Sequence, residues 1–539
     1  MKKKLLIFPL IALLSFTFAC SGESNTKFEE YYDSSWIQGE NAITNNIPSI
    51  KNPKGECTII NELRRSQNNI GLPTKGDANI LVVPIDFLGD FANQIFTNVD
   101  VTYTDKDLSN IEKTYFADIS NNIFPSVKSF YKASSFNKLN LNGVVSPVVT
   151  LPKEYKDYLS KAHAVSINEA VNEIISYVYD YLFNETKTYY IGDFDSDNDK
   201  KVDAISLICN YPINISFGDA YLDATHRSLV DYKNVYFSSS ITDIENTPIN
   251  AFSIASDAYR FASNSGRDSH AFIYQVGRML GLDDYEDLTG NVYTSYYRAP
   301  LGYMDIMGGL VGDHNVFSKY QLGWIEPRVI TLDDIPDNGL TLTLNSSITS
   351  GDAIILSTSN KGLFGEYLML DLYTLEGVNE IDKEMISPYG LSLFDKAGIR
   401  LYQVDSSLVR GYDSIYTKYN GELDFDAIYV LENGEEVAYV YDYAYSNNSS
   451  IKYPTSGEIY NYPLVSLLSK KGVNRHLVDY SNYLTSSDLF LEGDSFATES
   501  QIEGFYRNFA FHNEEKLGIS FNVDKIENNT ATITFRRVK

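Results

Sequence analysis

Apolar residues recur along this chain with two different periods, and the change from one to the other divides it. From residue 21 to about 76 the chain is polar and rich in Asn and Ser, which predicts a tether and lead-in with one candidate helix near Asn61 to Gln67. A continuous apolar run then closes on acid and ring at Ala78-Asn79-Ile80-Leu81-Val82-Val83-Pro84-Ile85-Asp86-Phe87. Such a run, without alternation, suits a central strand covered on both faces. Ser126 to Lys138 predicts a helix with Val127, Phe130 and Tyr131 on one face, and Leu139 to Val149 a partly alternating strand. Ser166 to Tyr181 predicts a second amphipathic helix, because Ile167, Ala170, Val171, Ile174, Ile175, Val178 and Tyr181 follow helical spacing. Ala204 to Cys209 reads as another buried strand. Helices and strands alternate as far as about Pro327, which indicates one α/β (α+β) unit over residues 77–327. Beyond it, short β-runs between Gly, Asn, Asp and Ser turns predict all-β structure, divided into a β-rich domain at 328–480 and a C-terminal β module at 481–539. No internal repeat is visible.

The N-terminus changes the picture by adding an address. Lys2, Lys3 and Lys4 precede an apolar run from Leu5 to Ala19, with Cys20 next, so residues 1–20 read as an export signal. The run is short for a membrane span. Ala19-Cys20-Ser21-Gly22 resembles a bacterial lipoprotein cleavage site with Cys20 as the lipidated residue, although Thr17 stands where such sites usually carry Leu. Ordinary signal cleavage, giving a secreted protein, is the alternative. A net charge of -27 over 539 residues repels nucleic acid and anionic headgroups. Membrane attachment is therefore expected through a lipid on Cys20 only. A hydrophobic share of 43%, with 42 Tyr and 29 Phe, is ample for buried cores and argues against wholesale disorder. Beyond Cys20 only Cys57 and Cys209 remain, which could form one disulfide but neither a disulfide framework nor a Cys-based zinc site.

An acidic loop, Asp195-Ser196-Asp197-Asn198-Asp199-Lys200-Lys201-Val202-Asp203, places carboxylates at its first, third, fifth and ninth positions. Calcium takes six to eight oxygens, and alternate residues of a tight turn can aim several at one centre. The candidate ligands are Asp195, Asp197, Asp199 and Asp203. Lys200 occupies the sixth position, where the sharp turn favours Gly, and no Glu stands at the twelfth. The competing reading is an acidic surface turn held by hydrogen bonds or by Lys200 and Lys201.

The most informative stretch is Ser269 to Asp287, SHAFIYQVGRMLGLDDYED. Ala271, Phe272, Val276, Met279 and Leu280 supply the apolar positions of a buried helix that Gly281 would terminate. Pro300-Leu301-Gly302-Tyr303-Met304-Asp305-Ile306-Met307-Gly308-Gly309 and Ser318-Lys319-Tyr320-Gln321-Leu322-Gly323-Trp324-Ile325 follow. This order resembles that of the immune-inhibitor-A-type (M6 family) zinc metallopeptidases: a helix with H-E-x-x-H-x-x-G-x-x-D, a Met-containing turn, then a Lys-Tyr-x-Leu-Gly-Trp segment. Gly281 and Asp284 match the Gly and final acid, Met307 the Met-turn, and Lys319, Leu322, Gly323 and Trp324 the closing segment. Further matches are Asp86-Phe87, Phe130-Tyr131 with Ser135 to Lys138, the acidic loop, Gly365-Glu366-Tyr367, and Gly398 to Asp405. The resemblance implies a zincin-like metallopeptidase domain followed by β-sandwich-like modules.

The departure from that pattern falls on the chemistry. Tyr274, Gln275 and Arg278 stand where the resemblance implies His, Glu and His. The two imidazoles would bind zinc and the Glu would take a proton from zinc-bound water. Tyr274 could bind only as a phenolate, with a reference pKa of about 10. Gln275 has no basic oxygen, and Arg278 is a fixed cation without an acceptor. Neither bound zinc nor catalytic residues are therefore expected. His270, one turn before Tyr274, and His314 are the only candidates for a rebuilt site; the simpler expectation is that Arg278 pairs with Asp284 and stands in for the metal. The function expected is a surface lipoprotein without catalysis that binds a peptide, a protein or a cell-surface ligand. The alternatives are an active zinc endopeptidase with unconventional ligands and a purely structural surface protein.

Overall fold

The computed structural model describes residues 71–89, 103–118, 125–210, 229–230, 233–237, 248–257, 268–285, 299–358, 366–383, 392–406, 463–471, 484–496, 511 and 516–538, with the backbone of short strands between 408 and 460. The signal and Cys20, the candidate helix at Asn61 to Gln67, and Cys57 lie outside the described residues. The protein is mixed α/β with several sheets. Among the described residues no helix is long and apolar enough to cross a membrane.

The apolar run at Ala78 becomes β1 (Gly76–Asp86), the centre of a mostly parallel sheet. Beside it lie β2 (Leu139–Val145), β3 (Val149–Thr150), β4 (Val202–Cys209), β5 (Val235–Phe237) and β6 (Ile249–Ser256), in the order β2-β1-β4-β6-β5 with β3 also against β1. β5 alone is antiparallel, pairing with β6. The absence of alternation in β1 follows from coverage of both faces. Ala78, Ile80 and Val82 point into one core and Leu81, Val83 and Ile85 into another. The first core is closed by α1 (Asp105–Phe116) and α2 (Val127–Ser134), the second by α3 (Tyr155–Ala164) and α4 (Ile167–Tyr179).

The expected elements are present with shifted ends. Ser126 and Ser166 cap α2 and α4, their hydroxyls accepting from the Ser129 and Glu169 amides. α2 stops at Ser134, short of the expected Lys138, because Phe136 and Asn137 turn to φ 56° and 61°. α4 gives way at Asp180 to a π-helical turn. The strand expected from Leu139 to Val149 is interrupted around Pro147, which has no N–H to pair, and resumes as β3 against the far end of β1.

In the chain's second half, β7 (Arg328–Ile330), β9 (Ile354–Leu356), β10 (Glu366–Tyr373), β11 (Gly398–Asp405) and β12 (Val465–Leu467) form one sheet. β8 (Leu340–Asn345) belongs to another, with β13 (Ser495–Phe496), β14 (Ile519–Glu527) and β15 (Thr530–Arg537). Alternation along β10 divides its side chains. Tyr367, Met369 and Tyr373 join the core of α1 and α2, while Leu368, Leu370 and Leu372 face a third core with Leu342, Phe521 and Ile533. Three antiparallel ribbons between 408 and 460 complete the described backbone.

Ile205, fully buried in β4, and Val144, 42% exposed in β2, provide a direct contrast. Ile205→Ala is expected to cost about 2–5 kcal/mol in urea unfolding, and Val144→Ala within about 0.5 kcal/mol. Equal costs would contradict the two-faced burial of this sheet.

Candidate functional site

The stretch from Ser269 folds as α5 (His270–Met279), and Gly281 ends it at φ 101°, as expected. Nearly every side chain of α5 is buried, so its polar groups must find partners inside the protein. Tyr131 of α2 donates its hydroxyl to the Ile273 carbonyl (2.7 Å). It reaches that carbonyl because Gly277, one turn on, has no Cβ; a Cβ there would stand 3.2 Å from the hydroxyl and 2.5 Å from Met307 Sδ. Met307 thus lies against the helix.

Asp305 builds that turn. Fully buried, it caps the short helix α6 (Ile306–Gly309) by accepting from the Met307 amide (2.7 Å), and it accepts from Asn315 N (2.7 Å) and Nδ2 (3.0 Å). Burial pushes its pKa up to about 6, against these hydrogen bonds, which lower it. The closing segment is structural as well. Lys319, in α7 (Val316–Gln321), pairs with Asp313 at 2.5 Å in the interior. Asp313 also accepts from Ser134 Oγ, and Trp324 Nε1 donates to the Thr74 carbonyl.

At the motif positions the acid and the first ligand position meet. Tyr274 donates its hydroxyl to Asp284 Oδ2 at 3.2 Å, and the Lys233 ammonium lies 3.0 Å from the same oxygen. The expected Arg278–Asp284 pair is not formed. Arg278 pairs with Asp283, which is fixed by a hydrogen bond from the Asp284 amide to its own Oδ1 (2.8 Å), and Lys233 takes the place assigned to Arg278. Lys233 lies two residues before β5, and no local sequence signal pointed to it. Gln275 is 1% exposed, and neither its carboxamide oxygen nor its nitrogen has a hydrogen-bond partner.

Neither histidine rebuilds a metal site. His270 has both ring nitrogens engaged, Nδ1 with Asp268 (2.6 Å) and Nε2 with Asp382 (2.9 Å). Asp382 ends a short helix, α9 (Gly377–Asp382), which follows α8 (Ser347–Ser350) in the chain, and it also accepts from the Gly312 amide (3.0 Å). Burial disfavours the imidazolium, but the Asp382 and Asp268 carboxylates outweigh it and hold the His270 pKa well above the usual range. His314 lies among the rings of Phe130, Tyr131 and Trp324, at 5.7–5.8 Å between centroids. Burial lowers its pKa to about 3, so it is neutral. A zinc ion does not fit this donor set: a phenol, a carboxamide, a guanidinium, and a carboxylate already holding an ammonium.

The one group of His, Cys, Asp or Glu with metal-holding spacing among the described residues is Asp195, Asp197 and Asp203, whose candidate oxygens lie within 4.8 Å of one another. Lys200 adopts φ 69°, the strained turn that its position implied. Asp195 accepts from the Asp199 (3.0 Å) and Lys200 (2.9 Å) amides. Asp199 turns elsewhere, accepting from Lys201 N (2.8 Å) and Asn250 Nδ2 (2.9 Å). Asp203 accepts from Ser196 N through Oδ2 (3.0 Å), while its buried Oδ1 has no partner. Burial raises its pKa to about 6, the Ser196 hydrogen bonds oppose that, and Asp197 and Asp195 add to it. Cys209 is buried at the end of β4.

No protein-family model matches this chain. A search of curated proteins finds no relative either.

The His270 clamp makes stability depend on pH in a defined direction. Its contribution is fully present below the unfolded-state value of about 6.5 and is lost as pH rises through the raised folded-state value. His270→Asn is expected to cost about 3–5 kcal/mol near pH 6, because two buried carboxylates lose their cation. In urea titrations that deficit should narrow as the wild type enters the alkaline range; a deficit that widens there would contradict the charged clamp.

Proposed function

We propose that this chain is an exported surface lipoprotein, derived from immune-inhibitor-A-type metallopeptidases, that binds extended peptide or protein segments without hydrolysing them. The observation that carries this reading is the Asp284 carboxylate, which takes up the Tyr274 hydroxyl and the Lys233 ammonium where the family pattern would have it face a metal ion. Hydrolysis of a peptide bond needs a polarised carbonyl, an activated water and a base. Gln275 supplies no base, and Arg278 supplies a cation already paired with Asp283. β5, the last strand of the described sheet, is antiparallel and α5 packs beside it, so a peptide cleft in this reading would lie along these two elements. In this reading residues 77–327 form a zincin-like domain, the two β-sheets of the second half form sandwich-like modules, and Cys20 carries the lipid.

Metal analysis of the purified chain, together with peptide-library binding and cleavage assays, tests the proposal. The expected result is substoichiometric zinc and peptide capture without cleavage. Stoichiometric zinc with cleavage that Gln275→Ala abolishes would establish the unconventional peptidase instead. Absence of both binding and cleavage would leave a structural surface protein.

The same proposal includes calcium at Asp195, Asp197 and Asp203, supported by the partnerless Asp203 oxygen. Without a cation, the raised pKa of Asp203 disfavours its ionised form, so this group opposes folding increasingly as pH rises from about 4 to about 6. A bound divalent ion reverses that sign. Calcium should therefore raise the melting temperature by a few degrees near pH 7.5 and by less near pH 5, and Asp203→Asn should remove the effect. A wild-type melting temperature indifferent to calcium at neutral pH would eliminate this part of the proposal.

A further inference from the structure

We infer that Lys233 is a built-in replacement for the catalytic metal: a protein cation that holds the metal-facing carboxylate, keeps the end of α5 folded without any ion, and excludes divalent cations from the site. The inference rests on the metallopeptidase-derived reading above and goes beyond it, because it names the residue that made the loss of metal tolerable.

Three observations converge on it. Asp284 is 9% exposed, and its Oδ2 lies 3.0 Å from the ammonium and 3.2 Å from the Tyr274 hydroxyl, so one oxygen collects both groups. A nearly buried carboxylate requires a counter-charge, and removing one member of such a pair leaves the other uncompensated. The nearer cation in sequence, Arg278, is held by Asp283, so it is not the one that neutralises Asp284.

The backbone around Lys233 is tied to the sheet. The Lys233 carbonyl accepts from the Val235 amide at 3.1 Å. The next residue, Asn234, is buried, its side chain donating to the Leu229 carbonyl (3.1 Å) and its carbonyl accepting from Ile254 of β6 (3.3 Å). β5 starts immediately afterwards. The lysine stem therefore springs from the turn just before β5 and carries its charge to the turn that follows α5. An ammonium carries one positive charge and donates hydrogen bonds, which suits a carboxylate. It offers no open coordination position and no Lewis acidity. A divalent ion would have to compete with this cation for Asp284 Oδ2.

The test restores the missing ligands in the full chain, with and without the lysine. The triple variant Tyr274→His/Gln275→Glu/Arg278→His recreates the family's ligand pattern, and a fourth change, Lys233→Ala, removes the proposed surrogate. Zinc binding is measured by competition against a chromophoric chelator and by elemental analysis. The quadruple variant is expected to bind zinc about tenfold or more tightly than the triple variant, because an ammonium beside the ligand carboxylate competes with the ion. Equal zinc affinity in the two would overturn the inference. Should the multiple variants fail to fold, single variants decide it by thermal melting without added metal. Lys233→Ala should melt several degrees lower than the wild type, while Lys233→Arg, which keeps the charge, should lie between them. Melting of Lys233→Ala at the wild-type temperature would also overturn the inference. Neither failure would affect the peptide-binding reading, which stands or falls on capture without cleavage by the unaltered chain.

Discussion

A helix buried along nearly its whole length makes each polar side chain on it costly unless the protein itself supplies a partner, since water is excluded, and on α5 Gln275 goes without one. α5 is such a helix, and much of the surrounding architecture can be read as the answer. His270 at its start is matched by two carboxylates, one local and one from the second half of the chain. Its middle accepts the Tyr131 hydroxyl and rests on Met307. The turn after its end is matched by Lys233, delivered from the turn before β5. The helix is thereby held at its start, at its middle and at the turn after its end.

The same requirement explains how the two halves of the chain are joined. β10 and β11 present alternate side chains to two different cores, so one sheet serves both the α/β unit and the outer sheet containing β14 and β15. The His270–Asp382 contact lies within this shared region and joins α5 to α9. Apolar burial supplies most of the driving force but has no direction, whereas charge pairs in a dry interior set register and orientation at the cost of desolvation. Here the charged groups coincide with the positions where the chain must be oriented most strictly: the ends of α5, the turn of Met307, and the segment of Lys319.

Local pattern made much of this legible. The continuous run of β1, the helical spacing of α4, the capping serines and the Gly281 terminator depend on neighbours within a turn or two, and each appears where its residues place it. The misplaced features share a physical cause. The end of α2 was set by left-handed Phe136 and Asn137, which no periodicity signals. The partner of Asp284 was assigned to Arg278 because both lie on one short segment, yet Asp283 is nearer in space to that guanidinium and Lys233 comes from a turn far away in the chain. Asp305 stood within a recognisable run, but its role depends on Asn315, ten residues on, folding back to meet it.

The residues alone determined what chemistry the helix could not perform. A tyrosine, a glutamine and an arginine at Tyr274, Gln275 and Arg278 supply neither the two imidazoles nor the carboxylate of the H-E-x-x-H pattern, because those groups belong to the side chains. They likewise determined the alternation of buried strands and helices, which follows from local spacing. Only the tertiary structure decided which cation meets Asp284, which carboxylates charge His270, and which of the four loop aspartates share a centre. Those outcomes depend on distances between segments far apart in the chain, and Coulomb interactions and desolvation act through space rather than along sequence.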